Sequence, residues 1–388
     1  MALNKKIHNI VIGIDTKNNQ LKILRNMGKD HKKLSIEHLS YEPDLYKTNQ
    51  IFELLDRLLS YHLANNPLGP NDAYIVLPDH FVFTQIIVLP SMPTAKSSAT
   101  LKAEIARIMP KNQKYGTTVT QISKTKTNTV FSVRFVLEEV LDDCVRACKK
   151  NGLNLRGISY SANCLLNSFL ALGTQSKNQD LMLLDIKEKS STLVCQLGGK
   201  NAMFFTLPIG QNFLSSEQKN YLSEFIKTRH AQKDVFNSAG STAYNITFAG
   251  KTVAEIEHNA FKHFKNTYQS TLQNAENFVA KESAKTSALS INFDVLKRYV
   301  WQAHDYLKEL NLPAPTTTVV NIPKSFGNAL MGGAGDIVFS PLKQHLAEKC
   351  LITDYLDLYG ALFMGSFNKS HNFDLKKSFI KKKTQKVT

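Results

Sequence analysis

Residues 12–22 read Ile12-Gly13-Ile14-Asp15-Thr16-Lys17-Asn18-Asn19-Gln20-Leu21-Lys22, and residues 183–194 read Leu183-Leu184-Asp185-Ile186-Lys187-Glu188-Lys189-Ser190-Ser191-Thr192-Leu193-Val194. Each stretch is an apolar strand that ends in Asp-X, and a polar turn and a second strand follow it. The second stretch begins about 170 residues after the first, and a recurrence at that separation indicates an internal repeat. We therefore expect a chain built from two related halves.

A duplicated strand-turn-strand pair of this kind is typical of the two phosphate-binding hairpins of the actin-type ATPase fold. In that fold a glycine follows Asp-X, because backbone amides must approach a phosphate closely. This chain has Lys17 and Lys187 at those two positions. We therefore expect the frame of a nucleotide site, with altered backbone chemistry at its centre.

The composition is that of a folded protein with more than one core. The chain has 388 residues, of which 43% are hydrophobic and 21% are charged. This length is sufficient for two domains of ordinary size. No apolar run approaches the roughly 18 residues that indicate a membrane span, and the N-terminus leads into a strand without the apolar region of a signal peptide. These features predict a cytoplasmic protein.

The formal net charge of +16 leaves several partners open. Part of this charge is local, because residues 376–388 contain six lysines and no acidic residue. A solvated, lysine-rich tail is one interpretation, and attraction of that tail to an anionic membrane surface is another. The remaining lysines are scattered without the interleaved arginines and aromatic residues of a single-strand binder, so we expect no specific nucleic-acid partner.

The order of predicted elements describes a first half and an insertion. Three strands at 8–15, 20–26 and 33–40, a helix near 48–65 and a strand at 73–77 form a βββαβ unit that is typical of ribonuclease-H-like halves. Residues 81–160 break this pattern and predict a β-α-β-β-α-β insertion, with its last strand at 155–159. The second half restarts with strands at 181–186, 191–197 and 201–208, which repeat the opening. The expected division is 8–80 and 161–175 for the first half, 81–160 for the insertion, 180–365 for the second half with a helical insertion at 212–290, and 366–388 for a basic disordered tail.

The rest of the second half is predicted more coarsely. A helix near 293–310 carries one apolar stripe, and a strand follows at 316–322. Gly332 and Gly333 are expected in a flexible loop before a helix at 341–349. The segment Tyr355–Phe363 is expected to pack last.

The order and spacing of several segments resemble the PilM family, the actin-like cytoplasmic proteins of type IV pilus assembly, which are related in fold to FtsA and GspL. The strand that enters the insertion ends in Leu89-Pro90-Ser91-Met92-Pro93, as it does in the family. The helix after it ends in Met109-Pro110, and the helix that leaves the insertion ends in Asn151-Gly152-Leu153. Leu207-Pro208-Ile209-Gly210 and the Gly332-Gly333 pair fit the second half. The resemblance covers about residues 8–365, with a poor match over 212–290.

The resemblance implies an actin-like ATPase fold with an SHS2-type insertion, and ATP with Mg²⁺ as the cofactors. It implies that two carboxylates contact Mg²⁺ through water, that small polar and basic groups reach the phosphates, and that a glycine pair lies at the adenosine. Lysine at the two hairpins can supply a positive charge instead of amides, or can fill the space that the γ-phosphate needs. The expected nucleotide-binding residues are Asp15, Lys17, Lys22, Asp185, Lys187, Ser190, Ser191, Gly332 and Gly333.

The chain departs from the family pattern where catalysis would occur. The family often has an acidic pair before the first connecting helix, and this chain has Ile158-Ser159-Tyr160-Ser161. No group there is suited to positioning an attacking water molecule, so we assign no catalytic residue. The five cysteines form no metal or disulfide pattern, and we assign no metal ligand. Asp15 and Asp185 can also simply cap their own turns. ATP hydrolysis, nucleotide binding without turnover and an empty scaffold all remain open.

The function that the resemblance implies is that of a scaffold or adapter in a type IV pilus, competence or type II secretion complex, peripheral to the inner membrane. The family groove between the insertion and the first half accepts the cytoplasmic N-terminal peptide of a PilN-like membrane protein, and 81–90 and 96–109 would line that groove here. The peptide segment Asn372-Phe373-Asp374-Leu375 faintly resembles the core of such peptides, so the tail is a candidate to occupy the groove itself. An ATPase, a sugar-kinase relative, a nucleic-acid binder, a filament-forming protein and a homo-oligomer are the alternatives.

Overall fold

The computed structural model describes residues 8–15, 20–26, 34–40, 51–65, 71–109, 114–171, 179–188, 190–207, 210–215, 247–248, 251–252, 288–321, 332–334, 337–341, 355–364 and 373. The strands there are β1 (His8–Asp15), β2 (Gln20–Asn26), β3 (Leu34–Ser40), β4 (Asn71–Leu77), β5 (Phe83–Pro90), β6 (Tyr115–Lys124), β7 (Asn128–Leu137), β8 (Asn154–Tyr160), β9 (Leu181–Ile186), β10 (Ser191–Leu197), β11 (Lys200–Leu207), β12 (Thr247–Phe248), β13 (Lys251–Thr252), β14 (Thr317–Asn321), β15 (Gly332–Ala334) and β16 (Ile337–Pro341). The helices are α1 (Ile51–Asn65), α2 (Thr94–Ile108), α3 (Glu138–Lys150), α4 (Ser161–Ala171), α5 (Gln211–Ser215), α6 (Ala288–Glu309) and α7 (Leu356–Ala361), and one short 3-10 turn covers Asp79–Phe81. In this part of the chain no helix is long and apolar enough to cross a membrane.

Two large sheets have the same strand order, which confirms the internal repeat. The first sheet has the order β3-β2-β1-β4-β8, and the second has the order β11-β10-β9-β14-β16-β15. In each sheet the first three strands along the chain are antiparallel neighbours, and two more extend the sheet in parallel, β4 and β8 in the first and β14 and β16 in the second. The second sheet has one further edge strand, β15, which is antiparallel to β16. The hairpins that contain the two quoted stretches therefore occupy equivalent positions in the two halves.

The central strands are apolar on both faces because each face of the sheet packs against helices. In β1 the side chains of Ile12 and Ile14 join the core that contains Leu55 of α1, whereas Val11 joins the core that contains Leu358 of α7. Successive side chains of a strand point to opposite faces of the sheet. A strand covered on both sides therefore reads as a continuous apolar run, which is the pattern that predicted β1.

The insertion contains a three-stranded antiparallel sheet with the order β5-β7-β6, and α2 packs on one face of it, whereas the buried side chains of α3 join the core of the first half. One set of apolar residues, including Ile87 and Val133, packs with Leu101 and Ile105 of α2. Ile86 joins the core of the second half instead. The prediction that the strand at 155–159 completes the insertion is wrong, because β8 pairs in parallel with β4 of the first sheet. The apolar pattern predicted a strand there but did not determine its partner.

Helix α7 belongs with the first half, although it follows the strands of the second. It crosses α4 so closely that a Cβ atom on Gly360 would clash with the carbonyl oxygen of Cys164. A Cβ atom on Gly13 of β1 would likewise clash with Leu358 of α7. The prediction that residues 180–365 form one half is therefore wrong at its C-terminal end.

Other predictions differ from the structure or lie outside it. The flexible loop at Gly332 and Gly333 was an incorrect expectation, because both residues lie in β15 and pair with β16. The predicted disordered tail includes Phe373, which is buried and bridges to β8. The predicted helix at 341–349, most of the predicted insertion at 212–290, and the rest of the tail lie outside the described residues.

Candidate nucleotide cleft

The two halves meet where the second hairpin faces α4 and α7. Asp185 lies near the carboxyl end of β9, in register with Thr192 of β10. The turn between these strands is closed by the backbone N–H of Lys187, which donates to the carbonyl oxygen of Ser190 at 3.0 Å. This geometry is a tight hairpin turn, and it directs the Lys187 side chain at the N-terminus of α4 and at α7.

Lys187 binds an oxygen cluster that the sequence did not predict. Its Nζ atom lies 2.6 Å from Asp357 Oδ2, 3.3 Å from Ser161 Oγ and 3.8 Å from Asp185 Oδ2. Ser161 Oγ in turn donates to Asp357 Oδ2 at 2.6 Å. The Lys187 side chain is 31% exposed, whereas those of Asp357 and Asp185 are 14% and 3% exposed. The lysine therefore occupies a position between two shielded carboxylates.

The charges of this cluster stabilise one another. Burial opposes the charge on Lys187, but Asp357 and Asp185 outweigh burial and raise the pKa of the ammonium group above its usual value. Burial would raise the pKa of Asp357, but the charge and hydrogen bond of Lys187, with the hydrogen bond from Ser161, lower that pKa. Lys187 and Asp357 are consequently both ionised at neutral pH.

Asp185 is held from its other side by the neighbouring parallel strand. The Asn321 amide, at the end of β14, donates from Nδ2 to Asp185 Oδ1 at 2.7 Å. The two residues are in register across β9 and β14, so the hydrogen bond follows from the strand pairing. With Oδ1 facing Asn321 and Oδ2 facing Lys187, both oxygens of Asp185 contact the protein itself.

A second buried carboxylate, Asp79, joins the two halves at the end of β4. Its Oδ1 atom accepts the backbone N–H of Ala162 at 2.8 Å, and its Oδ2 atom accepts the hydroxyl of Thr192 at 3.1 Å. Asp79 thus satisfies one of the free N–H groups in the first turn of α4. Burial raises the pKa of Asp79, whereas these hydrogen bonds and the charge of Lys187 lower it and so oppose part of the rise. A polar residue directly after a buried strand was the signal in the sequence for this role.

The first hairpin contributes its own ion pair. Lys22 Nζ lies 2.6 Å from Asp15 Oδ2, and both side chains are mostly shielded from solvent. Lys22 also lies over the ring of Tyr355, at 5.7 Å from its centroid, and its charge helps to lower the pKa of Asp357. The two hairpins therefore act on the same cleft. Lys17, predicted at the tip of this hairpin, lies outside the described residues.

The remaining predicted site residues are placed as follows. Ser190 and Ser191 are buried at the start of β10, and the Ser190 carbonyl is the acceptor that closes the hairpin turn. Gly332 and Gly333 lie in β15, at the outer edge of the second sheet. The structure therefore brings Lys22, Asp185 and Lys187 to one cleft. It adds Asp79, Ser161 and Asp357, which sequence reasoning missed.

In this structure the carboxylates that would serve Mg²⁺ are paired with lysine side chains. A magnesium ion between the two hairpins requires carboxylates that face it or its water shell, and here Asp15 and Asp185 each face a lysine ammonium group. The described residues contain no cluster of three His, Cys, Asp or Glu side chains suited to a metal ion. A phosphate that took the place of Asp357 beside Lys187 would also lie next to the displaced Asp357 carboxylate, and the two negative charges would repel each other.

Comparison with known proteins places the fold. No protein-family model matches the chain, and no curated protein sequence matches it. The structure is similar to a chain of the PilM-PilN type IV pilus biogenesis complex, with a TM-score of 0.50 and 14% identity over 92% of this chain and 98% of that one. This likeness and the duplicated sheets show that the chain has the actin-like ATPase fold. The resemblance noted from the sequence is confirmed at the level of the fold.

Two other solved structures are similar at lower scores. The cytoplasmic domain of EpsL, an inner-membrane component of the type II secretion system of Vibrio cholerae, has a TM-score of 0.35 and 9% identity over 54% of this chain and 76% of that one. Ta0583, an archaeal actin homolog in complex with ADP, has a TM-score of 0.36 and 11% identity over 91% of this chain and 97% of that one.

Proposed function

We propose that this chain is a cytoplasmic, actin-fold scaffold of a pilus or secretion assembly at the inner membrane, and that it has lost ATP hydrolysis. The observation that carries the proposal is the lysine at the second hairpin. Lys187 forms a salt bridge to Asp357 at 2.6 Å, at the position where the fold needs a backbone amide against a phosphate.

The salt bridge opposes nucleotide binding in two ways. A phosphate that approached Lys187 would have to displace Asp357 and leave its carboxylate poorly paired, and with Lys187 31% exposed this costs about 2–3 kcal/mol. The phosphate would also face the carboxylates of Asp357 and Asp185, whose negative charges repel it. Ser161 occupies the start of α4, where a group that positions water would be expected, and its hydroxyl donates to Asp357.

The partner that we propose is the N-terminal cytoplasmic peptide of a PilN-like membrane protein. A solved chain similar to this one comes from a complex of PilM with PilN. In this chain β5 is an edge strand of the insertion, and Phe83 and Val88 on it are 43% and 38% exposed. An extended peptide can add to such an edge through backbone hydrogen bonds, with apolar anchors that give specificity.

The lysine-rich segment 376–388 would add a weak attraction to the anionic face of that membrane. Each lysine near such a surface contributes on the order of 1 kcal/mol, and this attraction is screened by salt. The segment would therefore keep the scaffold near the membrane without fixing it there.

Two calorimetric titrations test the proposal. MgATP added to the wild type should give no binding heat, and a Lys17→Gly, Lys187→Gly double variant tests whether the lysines are the reason. Saturable binding of one ATP per wild-type chain would overturn the proposal that the nucleotide site has been lost. If the double variant then lost this binding, the lysines would act as phosphate ligands.

The partner is tested with the cytoplasmic N-terminal peptide of a PilN-like membrane protein. We expect Phe83→Asp and Val88→Asp to weaken binding at least about tenfold, because they place a charge on an apolar anchor. Val119→Asp is the matched control, since Val119 is 36% exposed on the opposite edge strand β6. Equal effects of all three changes would contradict the β5 site.

A further inference from the structure

Arg134 of β7 is enclosed where the insertion meets the second half. Its side chain is fully buried, and the guanidinium group lies over the ring of Tyr160, at 5.8 Å from the centroid. Nη2 donates to the backbone carbonyl oxygen of Asn201 and, at 3.5 Å, to that of Ala202. Both acceptors belong to β11, which is the edge strand of the second sheet. One nitrogen of the guanidinium group therefore holds the insertion against that edge.

The other two nitrogens of Arg134 are left without acceptors in the described part of the chain. Nε and Nη1 have no hydrogen-bond partner there. The group whose charge acts on Arg134 is Tyr160, and this tyrosine is neutral because burial raises its pKa. An arginine keeps its proton in proteins, and buried charges are normally paired with an opposite charge. Arg134 is thus a buried cation to which the described residues supply no anion.

Three hydroxyl groups lie on the same face of the insertion's sheet as Arg134. Thr84 of β5 and Thr118 of β6 pair directly with Arg134 in the register of the sheet. Ser132 lies two residues before Arg134 on β7, and both directly paired residues and residues two apart share a face. The Oγ atoms of these three residues are buried and have no hydrogen-bond partner among the residues that the structure describes. We call the surface formed by these four side chains the donor face.

The donor face is turned towards the second half, and the opposite face of the sheet is apolar. At the alternate positions of β7, Val133 and Phe135 pack with α2. On the side of the donor face, Ile86 joins the core of the second half. Lys200 Nζ of β11 donates to the carbonyl oxygen of Gln121 at 2.7 Å and closes the rim of the same interface. Polar donors therefore lie inside an interface whose surroundings are apolar.

We propose that the donor face binds one free inorganic oxyanion, such as phosphate or sulfate. Guanidinium N–H and hydroxyl O–H groups all donate, so they match the oxygens of an anion that accepts hydrogen bonds. The anion would also supply the charge that Arg134 lacks, and it would strengthen the contact of the insertion with β11. The donor face shares no residue with the cleft around Lys187, so this site does not depend on the loss of nucleotide binding.

Equilibrium dialysis of the full chain against radiolabelled phosphate, in a chloride buffer, tests the site directly. The wild type should bind one phosphate per chain, and sulfate should compete for it. Arg134→Met should bind phosphate at least about tenfold more weakly, because it removes the charge-assisted hydrogen bonds. Arg107→Met is the matched control, since it removes an arginine of the same insertion whose side chain is 65% exposed. It should bind phosphate as the wild type does.

A second pair of variants decides the proposal even if Arg134→Met fails to fold. Thr118→Val removes one hydroxyl group from the donor face and keeps the shape of the side chain, so it should weaken phosphate binding at least about threefold. Thr117→Val makes the same chemical change at the next residue, which pairs with Phe135 on the opposite face. It should leave phosphate binding unchanged, and equal affinities of the two variants would overturn the proposal.

Two further arms separate a specific site from general effects of phosphate. Phosphate stabilises many proteins because it is excluded from their surface, so its effect on the melting temperature is compared in wild type and Arg134→Met at constant ionic strength. The rise should saturate in the wild type and exceed that in the variant. Glycerol 3-phosphate should compete at least about tenfold more weakly than phosphate, because Arg134 is fully enclosed. Equal competition, or dialysis without saturable binding, would overturn the assignment.

Discussion

Replacement of Lys187 by methionine removes an ammonium group that lies between two carboxylates and keeps a similar apolar stem. Asp357, with its side chain 14% exposed, loses a partner at 2.6 Å, and Asp185 loses one at 3.8 Å. Removing one partner of a fully buried ion pair costs about 3–5 kcal/mol. Lys187 is 31% exposed, and water therefore screens part of the interaction. We expect the free energy of unfolding to fall by about 2–3 kcal/mol.

The assay is urea unfolding of the four proteins of a double-mutant cycle: wild type, Lys187→Met, Asp357→Asn and the double variant. Residues that share an ion pair couple by about 0.5–3 kcal/mol, so the double variant should be less destabilised than the sum of the single variants. Lys308→Met is the control, because Lys308 is exposed on α6 and its change should lie within about 0.5 kcal/mol. Additivity of the two single changes, or a cost of Lys187→Met no larger than that of the control, would refute the reasoning.

Three further predictions concern the same interfaces. Folding lowers the pKa of Asp357, so the contribution of this carboxylate to the free energy of unfolding is complete above its usual pKa and is lost as the pH falls through the lower pKa of the folded state. Urea unfolding between pH 6 and 2 should show this loss in the wild type and not in Asp357→Asn. Gly360→Ala should lower the free energy of unfolding by about 3 kcal/mol, because the added Cβ meets the backbone of α4. Gly157→Ala is the control, since its Cβ meets the flexible Met364 side chain at 3.2 Å, and it should have less than half that effect in the same assay. Similar effects of the two changes would contradict the close crossing of α7 and α4. Arg134 is fully buried, and its Nε and Nη1 have no hydrogen-bond partner among the residues that the structure describes. Arg134→Met should therefore change the free energy of unfolding by less than about 1 kcal/mol, and a loss above about 3 kcal/mol would contradict this account.

The local elements were predictable because their signals are local. The predicted bounds 8–15, 20–26, 181–186 and 191–197 are those of β1, β2, β9 and β10. Each of these strands carries an apolar run and is bounded by polar turn residues, and both signals lie within a few neighbouring residues. The recurrence of that pattern was also sufficient to predict two related halves.

The partners of strands and helices were less predictable. β8 has the same pattern whether it pairs within the insertion or with β4, because alternation describes the faces of a strand and not its edges. Gly360 gave no local sign that α7 would return to the first half and cross α4. The burial of Phe373 likewise depends on its bridge to Ile158, more than 200 positions earlier in the chain.

The sequence by itself determined the repeat, the strand-end aspartates and the lysines in place of both hairpin glycines, because these are properties of neighbouring residues. Tertiary structure alone decided which charges meet. Ser161 and Asp357 are 196 residues apart, and Lys187 and Asp357 are 170 apart, yet one carboxylate oxygen binds both side chains. Electrostatic interactions depend on distances of a few ångströms and on exclusion of water, and neither quantity exists until the two halves and the crossing helices have packed together.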